Sequence, residues 1–194
     1  VTYSTRIDDA FAFAHRVHRD QRRKGSGAPF ITHVMSVAAL VGEHGGDEDQ
    51  LIAALLHDAV EDGEGLKTLE EIRVAFGERV AQLVEGCTDA FTRPKPPWQK
   101  RKEDFVRAVT GAPPELRLIV AADKIHNVRV IARDLREEGA CVWDRFQGKR
   151  EGSLWYYSRI LEVLSGGWEH PILDELRRTV DRMESADRDV CKPK

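Results

Sequence analysis

Apolar residues return at three- and four-residue intervals along almost the whole chain, and no segment alternates with a period of two for long enough to make a strand. That feature restricts the fold to helices packed on helices. A first helix carries Ile7, Phe11, Ala14 and His18 on one face, with Ser4 as its N-cap. The glycines and proline of Lys24-Gly25-Ser26-Gly27-Ala28-Pro29 break the pattern, and Thr32 is placed to cap a second helix carrying Val34, Val37, Ala38 and Val41, which stops at Gly45-Gly46. A third helix runs from about Asp47 to Asp62-Gly63, with Leu51, Ala54, Leu55 and Asp58 sharing a face. Thr68-Leu69-Glu70-Glu71 has the form of a capping box opening a short helix that reaches Phe76, and the amphipathic pattern resumes after Gly77 with Val80, Leu83, Val84 and Cys87. The prolines of Thr92-Arg93-Pro94-Lys95-Pro96-Pro97 make an exposed basic loop near a site mouth. Further helices are predicted from Trp98 to Val109, Pro114 to Leu135, Leu154 to Leu164 and Pro171 to about Arg182. The expected architecture is all-α, a bundle of about eight to ten helices with no substantial sheet.

At 194 residues and 41% hydrophobic content the chain can bury one sizeable core. A single domain is expected over residues 1–185, with the polar, terminal stretch 186–194 as a flexible tail. Charged residues make up 32% of the chain but cancel to a net charge of −3, which removes the global basic field that nucleic-acid binding needs, so any anion site must be local. Cys87, Cys141 and Cys191 are odd in number and form no CxxC pair, which argues against a disulfide framework or zinc ribbon and for a reducing, cytoplasmic home. No apolar run is long enough for a bilayer and no secretory pattern opens the chain. Because the chain begins at Val1 and not Met, a few upstream residues are expected. Nothing in the sequence fixes the oligomeric state.

Chemistry concentrates in His57-Asp58-Ala59-Val60-Glu61-Asp62, an imidazole and three carboxylates within two helical turns. Acids at a helix C-terminus oppose its dipole and call for a stabiliser, which a divalent cation supplies. The structural alternative is a set of solvated acids. Asp123 follows the apolar run Leu118-Ile119-Val120-Ala121-Ala122, where an unpaired carboxylate is costly, so it needs either a metal or a core arginine. His33, alone, reads as a cap or a core histidine before it reads as a ligand.

Taken together, His33, His57-Asp58 and Asp123 resemble the H…HD…D signature of the HD phosphohydrolase superfamily. Arg23-Lys24 ahead of Ala28-Pro29-Phe30-Ile31-Thr32-His33, the run from Ala53 to Asp62, Phe76-Gly77 and Ala122-Asp123-Lys124-Ile125-His126-Asn127 further resemble the hydrolase domain of the RelA/SpoT alarmone enzymes and the small stand-alone alarmone hydrolases. The resemblance covers roughly residues 5 to 165. Three positions depart from the pattern: Val34 stands for a usual proline, Phe30 for a frequent tyrosine, and Gly63 for a common threonine.

The resemblance implies an all-helical fold and a metal held by His33, His57, Asp58 and Asp123. A mixed nitrogen and oxygen donor set suits Mn²⁺, Fe²⁺ or Zn²⁺, and the resemblance tips this to Mn²⁺. It implies Glu61 and Asp62 as the catalytic acid pair, and a small nucleotide substrate, guanosine tetra- or pentaphosphate, losing its 3′-pyrophosphate to give GDP or GTP. Arg23, Lys24, Asn127, Lys102 and Tyr156, the last chosen over Tyr157, are the expected substrate contacts; Lys100, Arg101, Lys149 and Arg150 are further candidates for phosphate. With the hydrolase region filling the chain, degradation without opposing synthesis is expected. Hydrolysis of another nucleotide, an adenosine alarmone or NADPH, and a non-catalytic nucleotide-binding module are the competing readings. His44, His126 and His170 are expected to be solvated or structural.

Overall fold

The computed structural model describes residues 3–190. Among them the chain forms ten α-helices and one 3₁₀ segment, and the closest approach to a sheet is an isolated bridge between Arg22 and Pro29. The helices are α1 (Arg6–His18), α2 (Ile31–Glu43), α3 (Glu48–Leu56), α4 (Ala59–Asp62), α5 (Leu66–Phe76), α6 (Glu78–Cys87), α7 (Trp98–Thr110), α8 (Pro114–Glu138), α9 (Lys149–Ser165) and α10 (Pro171–Val190). No described helix is long and apolar enough to cross a membrane.

The 25-residue α8 is the axis of the bundle. Its Ile119, Ala121, Ala122, Ile125, Val128 and Leu135 are essentially sealed from solvent, and α2, α3, α6, α9 and α10 all pack against it. A helix apolar on most of its circumference must be central. Pro114 at its first position has a fixed φ that suits a helix start, and Gly139 (φ +82°) ends it.

Several helix ends differ from the sequence reading. Ser4 does not cap α1; the cap position is Thr5, without a side-chain bond, while Ser4 Oγ accepts weakly from the Arg6 amide. Thr32 lies inside α2 and donates its hydroxyl to Pro29 O, so it caps nothing. Thr68 likewise lies inside α5, which starts after Gly65, and its hydroxyl accepts from the Glu64 amide ahead of the helix. The working capping box is at Asp47 and Gln50, whose side chains each accept from the other's amide.

The expected third helix is broken into α3 and α4 at His57-Asp58. In an unbroken helix the Asp58 amide would bond to Ala54 O, but the His57 ring takes that carbonyl through Nδ1 at 2.7 Å. The break turns the two adjacent side chains toward one point. Beyond it, Gly63 is required by packing: a Cβ there would stand 2.6 Å from Ala59 O and 2.7 Å from Thr68 Oγ1.

The expected flexible tail is overturned over its first part. Helix α10 continues through Val190, with Ala186 and Asp187 buried; Asp187 accepts from Trp143 Nε1 at 2.9 Å and pairs with Arg150. Residues 191–194, including Cys191, lie outside the described residues.

Candidate active site

The break between α3 and α4 points His57 and Asp58 at the first turn of α2 and the middle of α8. His33 Nε2 lies 3.4 Å from Asp58 Oδ2 and 3.3 Å from Asp123 Oδ1; His57 Nε2 lies 3.2 Å from Asp58 Oδ2 and 3.7 Å from Asp123 Oδ1. Donor atoms of His33, His57 and Asp58 fall within one 4.8 Å cluster, and Asp123 closes it from α8. Burial opposes every charge here, yet the rings beside it hold the Asp58 carboxyl well below its ordinary value, the Lys124 ammonium and then the rings do the same for Asp123, and the two carboxylates hold the His57 imidazole well above its own.

The donor chemistry fits a divalent cation. With its Nδ1–H given to Ala54 O, His57 turns Nε2 into the cluster, and that buried atom makes no hydrogen bond despite the carboxylate beside it. Two imidazole nitrogens and two carboxylates converging on one point are a set that these four residues could offer a metal.

Around these four lies a layer that holds them. His126, expected to be structural filler, meets His33 ring to ring, Nδ1 to Nδ1 at 2.8 Å. Lys124, buried on α8, places Nζ 2.5 Å from Asp123 Oδ2, and Asn127 donates to Asp123 Oδ1 at 2.5 Å. Asn127 in turn accepts from Arg23 at 2.8 Å, and the Arg23 guanidinium sits over the Phe30 ring at 5.6 Å. Thus Phe30, the departure from tyrosine, supports Arg23 through its face and packs edge-on to His33.

The acid pair lies on α4. Glu61 Oε1 receives Lys95 at 2.6 Å, and Asp62 Oδ2 receives Gln21 at 2.7 Å. Burial, helped by the Asp89 and Asp58 charges, pushes the Glu61 carboxyl up to about 7. Asp89 anchors the basic residues opposite: its carboxylate oxygens accept from Arg101 and Lys102, each at 2.6 Å, and those partners overcome burial and hold it down at about 2. Arg101 is buried and comes within 4.0 Å of Glu61.

These groups line one cavity of about 300 Å³ that contains Arg23, Lys24, His33, Asp58, Glu61, Asp62, Lys102, Asp123, Asn127 and Tyr156, together with Tyr157. His57 stands behind its wall. The proline loop reaches this mouth, as the prolines and charge suggested: Lys95 meets Glu61, and Arg93 donates to Asp62 O. The other expected phosphate contacts are elsewhere. Lys100 pairs with Asp104 on an exposed face, Lys149 with Asp144 and Arg150 with Asp187. His44 pairs with Glu175 and His170 stacks on Trp168, both away from the cavity. Cys87 lines it, but burial pushes its thiol up, which makes it a poor nucleophile. Lys124, Asp89 and Gln21 are cavity residues that sequence reasoning missed, Lys124 alone of them inside a recognised motif; His126 was expected only to be solvated or structural, and Lys95 was seen only as part of the basic proline loop.

Residues 10–154 match the family model for the HD domain. The human guanosine-3′,5′-bis(diphosphate) 3′-pyrophosphohydrolase MESH1 is 41% identical over 128 residues, 64% of this chain and 69% of that protein. A probable guanosine-3′,5′-bis(diphosphate) 3′-pyrophosphohydrolase of Synechocystis is 40% identical over 128 residues, 63% of this chain, and the matched region spans only 16% of that longer relative. Among solved structures, a metazoan ortholog of SpoT described as hydrolysing ppGpp superposes with a TM-score of 0.74 at 27% identity, covering 97% of this chain and 98% of the other. A crystal structure from Listeria monocytogenes gives 0.69 at 32% identity, covering 77% of this chain and 96% of that one. The chain therefore belongs to the HD-domain family, among relatives of the MESH1 and SpoT/RelA type.

Proposed function

We propose that the protein is a metal-dependent hydrolase that removes the 3′-pyrophosphate of guanosine tetra- or pentaphosphate, giving GDP or GTP and pyrophosphate in the cytoplasm. The observation that carries this reading is the buried His57 Nε2, left without a hydrogen bond in a two-histidine, two-carboxylate cluster that opens onto a cavity walled by paired acids and by Arg23, Lys24 and Lys102. The similarity to MESH1 supports the nucleotide.

His33, His57, Asp58 and Asp123 would hold the cation; the mixed donor set suits Mn²⁺, Fe²⁺ or Zn²⁺, and the family resemblance favours Mn²⁺. When bound, it supplies Lewis acidity for a phosphate oxygen and acidifies a coordinated water. Glu61 accepts the proton of the attacking water at Oε2, since Lys95 occupies Oε1. A carboxyl held near 7 is matched to that task. Attack at the 3′-linked phosphorus breaks its bond to the ribose 3′-oxygen, which takes the proton that Glu61 removed from the water, and pyrophosphate departs. Asp62, fixed by Gln21, keeps a second acceptor beside the water. Lys102 and Lys24 neutralise the phosphates, Arg23 stacks on the base, Asn127 ties Arg23 to Asp123, and Tyr156 carries the Lys102 ammonium 4.8 Å above its ring. The test is pyrophosphate release from guanosine tetraphosphate by purified protein with Mn²⁺. Release is expected; none would overturn the reading.

A further inference from the structure

The cavity is laid out along one face of α8. Asp123, Asn127, Val130, Ile131 and Asp134 all line it, and these spacings return to the same side of a helix. Asp134 lies three turns beyond Asp123, about 16 Å along the axis. The order of chemistry along this stripe is carboxylate and imidazole, then amide, then an apolar stretch of Val130 and Ile131 faced by Phe146, then a second carboxylate. A nucleotide presents complementary chemistry in the same order: phosphates, ribose, flat base, polar base edge.

Asp134 is unusual for a residue so far from the acid pair. It is only 5% exposed and yet lines the cavity. Its Oδ1 takes both bonds from Arg133, at 3.1 and 2.8 Å, while Oδ2 has only a long 3.4 Å contact with Arg145. An ionised carboxylate has about four acceptor positions. Oδ2 therefore retains acceptor capacity, and its oxygen is fixed in place by the pairing of its neighbour. The loop that carries Arg23 and Lys24 closes over it: Gly25 adopts φ +91°, and a Cβ there would stand 3.3 Å from Asp134 Oδ2 and 2.4 Å from Arg145. The arginine expected to stack on the base and the carboxylate beyond it thus belong to one enclosure.

The geometry points to Asp134 as the residue that selects the base, its Oδ2 accepting from the N1–H and N2–H₂ donors side by side on a guanine edge. This rests on the nucleotide reading above and deepens it. Adenine turns a lone pair at N1 toward the same carboxylate, so two acceptors would face each other in a dry site. Hypoxanthine keeps the N1 donor and lacks the amino group.

The experiment compares the guanosine, inosine and adenosine 3′,5′-bis(diphosphates) with wild-type protein and with Asp134→Asn, by kcat/KM with Mn²⁺ and by calorimetric binding without added metal. A site built to bond a donor rejects analogues lacking it strongly, so wild type should prefer guanosine over adenosine at least about tenfold, with inosine between, and Asp134→Asn should erase at least about tenfold of that preference. A merely structural Asp134, holding Arg133 and Arg145, would weaken all three nucleotides alike and leave the ratios unchanged, which overturns the proposal. Wild type that treats inosine and guanosine equally also overturns it and needs no folded variant. Base preference in the binding arm decides the matter even for a protein that releases no pyrophosphate, so failure of the hydrolase reading is seen separately.

Discussion

His33 Nδ1 and His126 Nδ1 lie 2.8 Å apart, ring nitrogen to ring nitrogen, so one must carry the hydrogen and the other the lone pair. Burial and the neighbouring charges of His33 and Arg23 push His126 down to about 4, which keeps it neutral at pH 7 and able to accept. His33 then donates from Nδ1 and turns Nε2 toward the cluster, the ring orientation a metal ligand needs. Replacing His126 with phenylalanine should lower Mn²⁺ affinity roughly 10- to 100-fold with unchanged helicity. Calorimetric metal titration beside far-UV circular dichroism measures both, and unaltered affinity would count against the orienting role.

Asp58 is the most solvent-accessible of the four clustered side chains, at 26% exposure, so its loss should leave the core intact. Asp58→Ala is expected to cut kcat/KM by roughly 10²–10³-fold or more, while thermal unfolding stays cooperative. Turnover equal to wild type would show that the cluster is not the reaction centre.

Glu61 links the site to pH. Burial first, then the Asp89 and Asp58 charges, raise its carboxyl from 4.5 to about 7, so the folded chain holds a proton that the unfolded chain has already released. The associated stability is full below pH 4.5 and is lost as pH rises through 7, by about 2–3 kcal/mol at most given partial solvent access. In chelator-treated protein, urea unfolding at pH 5 and pH 8 should show this decline, and Glu61→Gln should flatten it. Identical slopes for the two proteins would refute the assignment.

Asp89 holds Arg101 and Lys102 together with a side chain only 4% exposed. Asp89→Asn leaves two cations sharing a largely dry wall without their counterion, a change expected to destabilise by about 3–5 kcal/mol. A fall in melting temperature measures it. The same variant removes one of the charges that raises Glu61, so the limb of the activity profile near pH 7 should move to lower pH.

At the other end of the molecule, Asp187→Asn should weaken the attachment of α10, because Asp187 joins Trp143 and Arg150 to that helix. A loss of about 2–4 kcal/mol is expected, and it should appear also when the chain is cut before residue 186. Cut protein as stable as the full chain would contradict the buried contacts.

Helix identity was legible because helical spacing of apolar residues is a local signal, and α8 in particular could be read from Pro114 onward. Its end was read three residues early, at Leu135, since the polar turn Arg136-Glu137-Glu138 carries no apolar marker. The caps failed for a common reason: Ser4, Thr32 and Thr68 are all capable of capping, but which hydroxyl meets an amide depends on a backbone turn that composition does not encode. The tail failed differently. Asp187 looks like solvent-facing charge until Trp143 and Arg150, both more than thirty residues away, are brought against it. In the cavity, the residues within motifs were visible, and Lys95 was visible as part of the basic proline loop, whereas Asp89 and Gln21 became significant only through folding, as isolated polar residues.

The long α8 also constrains how such a site can change. Because Asp123 and Asp134 ride the same unbroken helix, their separation is set by helical rise and not by a loop. Insertion or deletion of a single residue between them would rotate the far end by about 100° and carry Asp134 off the cavity wall. The helix thus behaves as a ruler with fixed graduations. New substrates of different length cannot be reached by stretching it, only by exchanging the side chain at each mark.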